Sequence, residues 1–457
     1  MNGQQLENPF ASAFRTSSLV LVLIFGAFLC IFVPPLMVLL GFVAVAYLWA
    51  IARYPLSFAG AMLAFMPMDY MAIEFGKFFG LPSMTVVSAF TKEIPLLLLI
   101  FVLWRRNGFK PTLPDWFLFG FLAFAAVRTA LDGTLLTLAT DIQFALPYSL
   151  GRVAVLSTAQ EGLWARRAVW IVGILSILGM SEIFIFGAGP RAALYAATEG
   201  VSQGGNLSPA FYGQGFGGMR EASTMVGPPS FAALCMIALI VWWVYGRSLL
   251  PAAMVAAGLL CSVTRSSWLG TALAIFVLGI IMNQKKRLLR YAAVALMLFA
   301  AAIPILGLGD YLSGTSTGKD ESAQNHRRSI LTGLKYIGEN PFGGGNLKIG
   351  PRSAGANDNA LVVETTYLEF AAEYGVVAFL IFLGFMLSAL RLAWRQQSQL
   401  GYVAVGILIG LGLAMTVLIL HDDRRLACWE WFPVGLAVRS SMGRSVPASS
   451  GSPEKSL

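Results

Sequence analysis

Runs of about 17–25 apolar residues recur along most of this chain, and a run of that length crosses the hydrocarbon of a bilayer as a helix. Inside a bilayer no water meets the backbone polar groups, so a spanning segment closes its hydrogen bonds within itself or within a closed barrel. A barrel strand alternates apolar and polar residues, and these runs do not alternate. Composition agrees. Of 457 residues 57% are hydrophobic and 12% charged, against about a quarter charged in an average soluble domain. The expected fold is an all-α polytopic membrane protein with 12–14 transmembrane helices. About fourteen spans can be placed, near 17–33, 36–52, 57–73, 85–104, 115–131, 141–158, 168–187, 224–245, 249–264, 267–282, 291–308, 362–390, 401–420 and 427–438. Lys92, Glu93 and Pro95 interrupt the fourth, and Arg152 the sixth.

The net charge of +9 follows from basic residues that anchor loops on one side of a membrane, and no segment reads as a nucleic-acid module. Cys30, Cys235, Cys261 and Cys428 form no CxxC pair and lie in or beside apolar runs, as packing residues do. The first run lacks a small-residue cleavage pattern and is read as a retained helix. Alternate connections carry the basic clusters, among them "WRRNGFK" from Trp104, "WARR" from Trp164 and "NQKKRLLR" from Asn283. The positive-inside rule puts these, and both termini, in the cytoplasm. Residues 1–440 then form one transmembrane domain, and 441–457 a Ser/Pro/Gly-rich disordered cytoplasmic tail. On the outer side lie two long loops, 188–223 and 309–360, and the turn at Arg265 in "TRSSWLG", between two short helices.

Arg191, Arg220, Arg265, Arg327, Arg328, Lys335, Lys348, Arg352, Arg424 and Arg425 all fall on that outer side. A guanidinium fork grips phosphate oxygens in two places at once. A phosphate-bearing ligand at the outer surface is therefore expected, alongside the plainer reading that these arginines pair with nearby carboxylates or lipid phosphates. In "HRRSILTGLKYIGENPFGGGN" Ile330, Leu331, Leu334 and Ile337 fall at helical spacing, which makes a short amphipathic helix that lies on the membrane or caps the bundle. Asn340-Pro341 ends it, and glycines 343–345 allow a close backbone approach. No Walker pattern accompanies them. Glu364 stands at the mouth of the next apolar helix, with Tyr367 on the same face. Its carboxylate is a candidate general base, while Glu369 and Glu373 are read as salt-bridge partners. Asp422-Asp423 and Asp69 are the only candidate cation ligands considered. No DxD motif is present, and neither a metal nor another cofactor is expected.

"MREASTMVGPPSFAA", "TRSSWLG", "RRSILTGLKYIGENPFGGG" and "ETTYLEFAAEYGVVAFL", in that order and on one side, resemble the O-antigen ligase and Wzy-type polysaccharide polymerase superfamily. These are bacterial inner-membrane glycosyltransferases that use undecaprenyl-diphosphate-linked glycans. The likeness covers roughly residues 165–420. Where ligases of this kind carry a histidine nine residues and one small polar residue before a glycine, this chain has Glu364, Thr365, nine residues and Gly375. That departure points to a polymerase, whose donor and acceptor are both lipid-linked repeat units. The resemblance implies a periplasm-facing site in the inner membrane. There Arg265 and Arg220, with Arg327 and Arg328, bind the diphosphate, Glu364 deprotonates the acceptor hydroxyl and Tyr367 stacks on a sugar. The transfer is inverting and metal-independent, the surrounding partner is membrane lipid, and a chain-length regulator and a flippase complete such a system. Two other readings stay open: a ligase that transfers the glycan to another acceptor such as lipid A-core, and a flippase or exporter of lipid-linked oligosaccharide.

Overall fold

A computed structural model describes residues 45–79, 84–133, 138–139, 141–187, 190–191, 220–225, 227–246, 248–305, 321–345, 349, 361, 363–420 and 423–443. The expected span at 17–33, most of the two long loops, the tail beyond 443, His421 and Asp422 lie outside these residues. The chain divides into two compact units, Met1–Phe58 and Ala59–Leu457. In the first, residues 45–53 are helical, and Tyr47 and Trp49 meet Phe58 and Tyr54 edge-on.

Among the described residues the fold is helical and contains no strand; one isolated bridge joins Ile349 to Leu361. The helices are α1 (Pro55–Phe65), α2 (Asp69–Phe78), α3 (Met84–Asn107), α4 (Leu113–Asp132), α5 (Ala145–Val153), α6 (Thr158–Ser181), α7 (Pro228–Tyr245), α8 (Leu249–Cys261), α9 (Arg265–Ile281), α10 (Lys285–Ile305), α11 (Glu321–Glu339), α12 (Thr366–Tyr374), α13 (Val376–Gln396), α14 (Gln399–Ala414) and α15 (Arg424–Gly443). Pro55–Phe78, Leu113–Leu131, Thr158–Phe186, Pro228–Tyr245 and Val376–Gln396 are long and apolar enough to cross a membrane, and α8, α9 and α14 are apolar but shorter. Their outward faces carry large apolar residues, among them Phe119, Ile177, Phe276 and Leu387, as lipid-facing helices do. The protein is a multi-pass membrane protein of all-α class.

Sequence cues set the helix starts. Thr112 and Asp115 form a capping box on α4, and Ser157 and Gln160 one on α6. α7 is apolar on every side and is the buried centre, with Phe231, Cys235, Ile240 and Trp243 enclosed. Small residues let the helices around it approach closely. A Cβ on Gly270 of α9 would lie 2.7 Å from the Gly410 carbonyl of α14, and one on Gly435 of α15 2.2 Å from the Tyr148 carbonyl of α5. Gly270 lies against Gly410 and Leu278 against Gly406, so α9 and α14 run antiparallel.

Two expected spans are corrected. The sixth, at 141–158, is the nine-residue α5, too short to cross; Arg152 at its end is bonded to Asp115 instead of facing lipid. The span at 362–390 is broken at Gly375, where φ is +96°, into α12 and α13. The glycines of 343–345 fill that break. Gly344 and Gly345 donate to the Ala372 and Glu373 carbonyls at 2.8 and 3.0 Å, and Val376 donates to the Pro341 carbonyl at 2.9 Å. The close backbone approach expected of these glycines is therefore made to the chain itself.

Candidate functional site

The site is built on the turn between α8 and α9. α7 and α8 pack side by side, and a Cβ on Gly258 near the end of α8 would meet the Phe231 ring near the start of α7 at 3.3 Å. Residues 220–225 lie before α7, with Ala222 and Met225 fully enclosed, and the Glu221 N–H donates to the Cys261 carbonyl at 3.0 Å. Arg265 is the first residue of α9 and is half-buried. Trp268, one turn on, ties α9 back to the end of α8 through a 2.8 Å bond from Nε1 to the Leu259 carbonyl. The turn is thus polar and braced by Trp268 and by residues 220–225.

Arg220 meets the same turn. Its Nε donates to the Ser262 carbonyl at 2.9 Å and its Nη2 to the Val263 carbonyl and Thr264 Oγ1 at 3.2 and 2.9 Å. Ser262 follows the last residue of α8 and Thr264 precedes the first of α9, so Arg220 clamps the turn that delivers Arg265. Beneath it Glu221 is enclosed, and neither of its carboxyl oxygens has a hydrogen-bond partner. Burial, with Glu182 nearby, pushes its pKa up to about 9. Gly179 makes room for it, since a Cβ there would stand 2.4 Å from Oε1. Arg191 is spoken for by an ion pair with Glu182 and a bond to the Ser223 carbonyl.

Glu364 belongs to the same end of the bundle. α9 and α14 are antiparallel, so the start of α9 lies with the end of α14. Past that end the Leu418 carbonyl accepts from Thr366 N and Oγ1 at 3.2 and 2.9 Å, and Thr366 lies two residues after Glu364. Thr365 caps α12 by accepting from Leu368 N at 3.1 Å. The carboxylate of Glu364 is half-exposed, and His326 Nδ1 of α11 lies 2.6 Å from its Oε2. The histidine holds the Glu364 pKa below the ordinary glutamate value against the opposing effect of burial. Ser329, one turn along α11, accepts the Glu364 N–H at 2.8 Å. Tyr336 and Ile337 then pack on a small core of Ile349, Val363 and Ala372. The amphipathic helix therefore caps the bundle with one face, and leaves Arg327, Arg328, Leu331 and Leu334 exposed on another.

Of the other expected residues, Tyr367 turns inward. Its hydroxyl donates to the Gly412 carbonyl at 3.1 Å and its ring meets Phe379. Asp69 is bonded to Lys92 at 2.6 Å and to Arg425 at 3.2 Å, and Arg424 pairs with Glu93. The charges that interrupt the fourth span are thus neutralised within the protein. Asp115 and Arg152 pair at 2.7 Å, both buried, in the first turn of α4. Because Gly120 and Phe117 lie against Ile381 and Gly384, α4 and α13 are antiparallel, and this pair stands at the end opposite Glu364.

With the turn, the capping helix and the Glu364 mouth in place, comparison with known families is informative. Residues 250–383 match the O-antigen ligase family model. The matched segment opens with α8, holds Arg265, His326 and Glu364, and closes inside α13; Arg220 lies before it. The resemblance to the O-antigen ligase and Wzy superfamily thus rests on the segment that carries most of the site, and it supports a glycan-processing role at a membrane with lipid-linked glycans as substrates. No curated protein matched the chain. The sequence pattern missed the approach of His326 to Glu364, because 38 positions separate them; the only cue was the helical face shared by His326 and Ser329.

Proposed function

We propose that this chain is a glycosyltransferase that joins polyprenyl-diphosphate-linked repeat units into a polysaccharide, working from the end of the bundle that holds Arg265 and Glu364. The observation that carries this reading is the polar turn where Arg220 is bonded beside Arg265, at the same end as the Glu364 carboxylate. The lipid of the donor lies among the helices and its diphosphate reaches Arg265, with Arg220 holding the turn in register and Arg327 and Arg328 contributing charge from the capping helix. As the glycosidic bond to the leaving diphosphate breaks, negative charge grows on it. Fixed guanidinium groups favour that charge more than they favour the ground state. At the Glu364 mouth the acceptor hydroxyl gives up its proton. Attack from the face opposite the diphosphate inverts the anomeric centre. The arginines supply the positive charge, so activity in EDTA is expected. The periplasmic face of the bacterial inner membrane is the setting this chemistry fits, with a flippase and a chain-length regulator as companions.

The family match favours a second reading, in which the acceptor is not a lipid-linked repeat but a separate glycolipid. Purified protein supplied with lipid-linked repeat units alone distinguishes the two. A ladder of lengthening glycans supports the polymerase. Transfer that appears only after a glycolipid acceptor is added supports the ligase. Movement of substrate across vesicles without any new glycosidic bond would overturn both and leave an exporter. Against the exporter, the Asp115–Arg152 pair sits in a first helical turn and caps it, instead of standing midway along the bundle.

A further inference from the structure

The geometry points to His326 as the group that accepts the acceptor's proton, with Glu364 orienting the imidazole and stabilising its charged form. This rests on the glycosyl-transfer reading above and assigns the proton's destination within it. Three observations support the assignment. First, the imidazole is held by its surroundings. His326 and Ser329 lie on one face of α11, and both meet Glu364, at 2.6 Å through Nδ1 and at 2.8 Å through the serine hydroxyl. The Tyr336–Val363–Ala372 packing fixes the same helix further along. Second, with Nδ1 turned to the carboxylate, Nε2 on the far side of the ring is the nitrogen left to meet a substrate, and the side chain is about one-third exposed at 32%. Third, the Glu364 carboxylate 2.6 Å from Nδ1 balances the charge that the ring gains when it takes a proton.

The step balances as follows. The acceptor O–H bond breaks and its proton passes to His326 Nε2. The freed oxygen pair forms the new bond to the anomeric carbon. The old carbon–oxygen bond breaks with its electron pair leaving on the polyprenyl diphosphate, beside Arg265. The imidazolium, facing the Glu364 carboxylate, then returns its proton to water. The division of labour is that of a carboxylate–histidine pair in which the carboxylate orients the ring and balances its charge without being protonated itself.

The test is a pH–rate profile of glycan transfer by the purified full chain, using a lipid-linked repeat unit as donor. Wild type is expected to lose activity on the acid side of the profile. His326→Gln is expected to fall by about 100-fold or more and to lose that acid limb. Millimolar imidazole is expected to restore part of the rate to His326→Ala. Ser329→Ala loosens a tether of α11 and removes no proton acceptor, so it is expected to lower kcat far less than His326→Gln and to keep the acid limb. A His326→Gln protein with wild-type kcat and an unchanged acid limb overturns the assignment alone, as does a loss in Ser329→Ala equal to that in His326→Gln. If His326→Gln does not fold, the decision passes to the wild-type profile and imidazole rescue of His326→Ala; no acid limb, or no rescue of a folded protein, overturns it. Wild type that transfers no glycan to any acceptor overturns the functional reading and this assignment together.

Discussion

Single side chains carry the chemistry, and they differ in what their loss should do. Arg265→Ala is expected to lower transfer by about 100–1,000-fold, the size seen when one preorganised charge-stabilising donor is removed, with folding preserved. Arg265→Lys should recover only part, because a lysine meets an oxyanion as a point charge. Rates per folded protein from purified variants check both. Glu221 is a different case. Its pKa is raised in the fold, from the ordinary 4.5 to about 9, so the fold favours the neutral form. The associated stability is complete below about pH 4.5 and is lost as pH climbs towards 9. Glu221→Gln should therefore raise the thermal midpoint in detergent at pH 8 and flatten its decline between pH 5 and 9. At this scale the sequence was half legible. Arg265, Arg220 and Glu364 stood out because charge is costly beside apolar runs. The partner of Glu364 did not, because nothing local joins residue 326 to residue 364.

At the scale of elements, length and breaks decide where those side chains arrive. The hairpin around Arg265 could be read nearly to the residue, since "LLPAAMVAAGLL" and "TALAIFVLGIIM" flank a polar turn. The brace from Arg220 could not, because 42 positions separate it from Ser262. The break at Gly375 was hidden by an apolar run that continues through it. Its φ of +96° is open to glycine and strained for other residues, and a Cβ there would stand 2.7 Å from the Phe342 carbonyl carbon. Gly375→Ala is expected to cost about 1–3 kcal/mol and to free the 326–345 segment, seen as faster limited proteolysis there. Arg152→Ala leaves the Asp115 carboxylate buried beside Tyr148, which donates to it at 2.9 Å. Breaking a buried pair from one side costs about 3–5 kcal/mol. A lowered thermal midpoint in detergent checks this, and restoration by replacing Asp115 with an apolar residue as well would show that the unpaired charge is the cause.

Across the whole molecule, antiparallel packing sorts the charges into two ends. The α8–α9 turn, the Glu364 mouth, the capping helix and the Asp69–Lys92–Arg425 group share one. Asp115–Arg152 and the basic start of α10 lie at the other. The membrane class followed directly from composition and run length, whereas the side on which each end lies followed only from the distribution of basic residues. The account depends most on Arg265 and Glu364 opening to the compartment that receives the lipid-linked diphosphate. In a chain whose four cysteines are replaced, single cysteines at Ser266, Lys335 and Lys285 can be challenged in intact cells with a membrane-impermeant maleimide. Labelling at 266 and 335 with protection at 285 until the cells are opened is the expected pattern. Labelling at 285, with 266 and 335 protected, would contradict it.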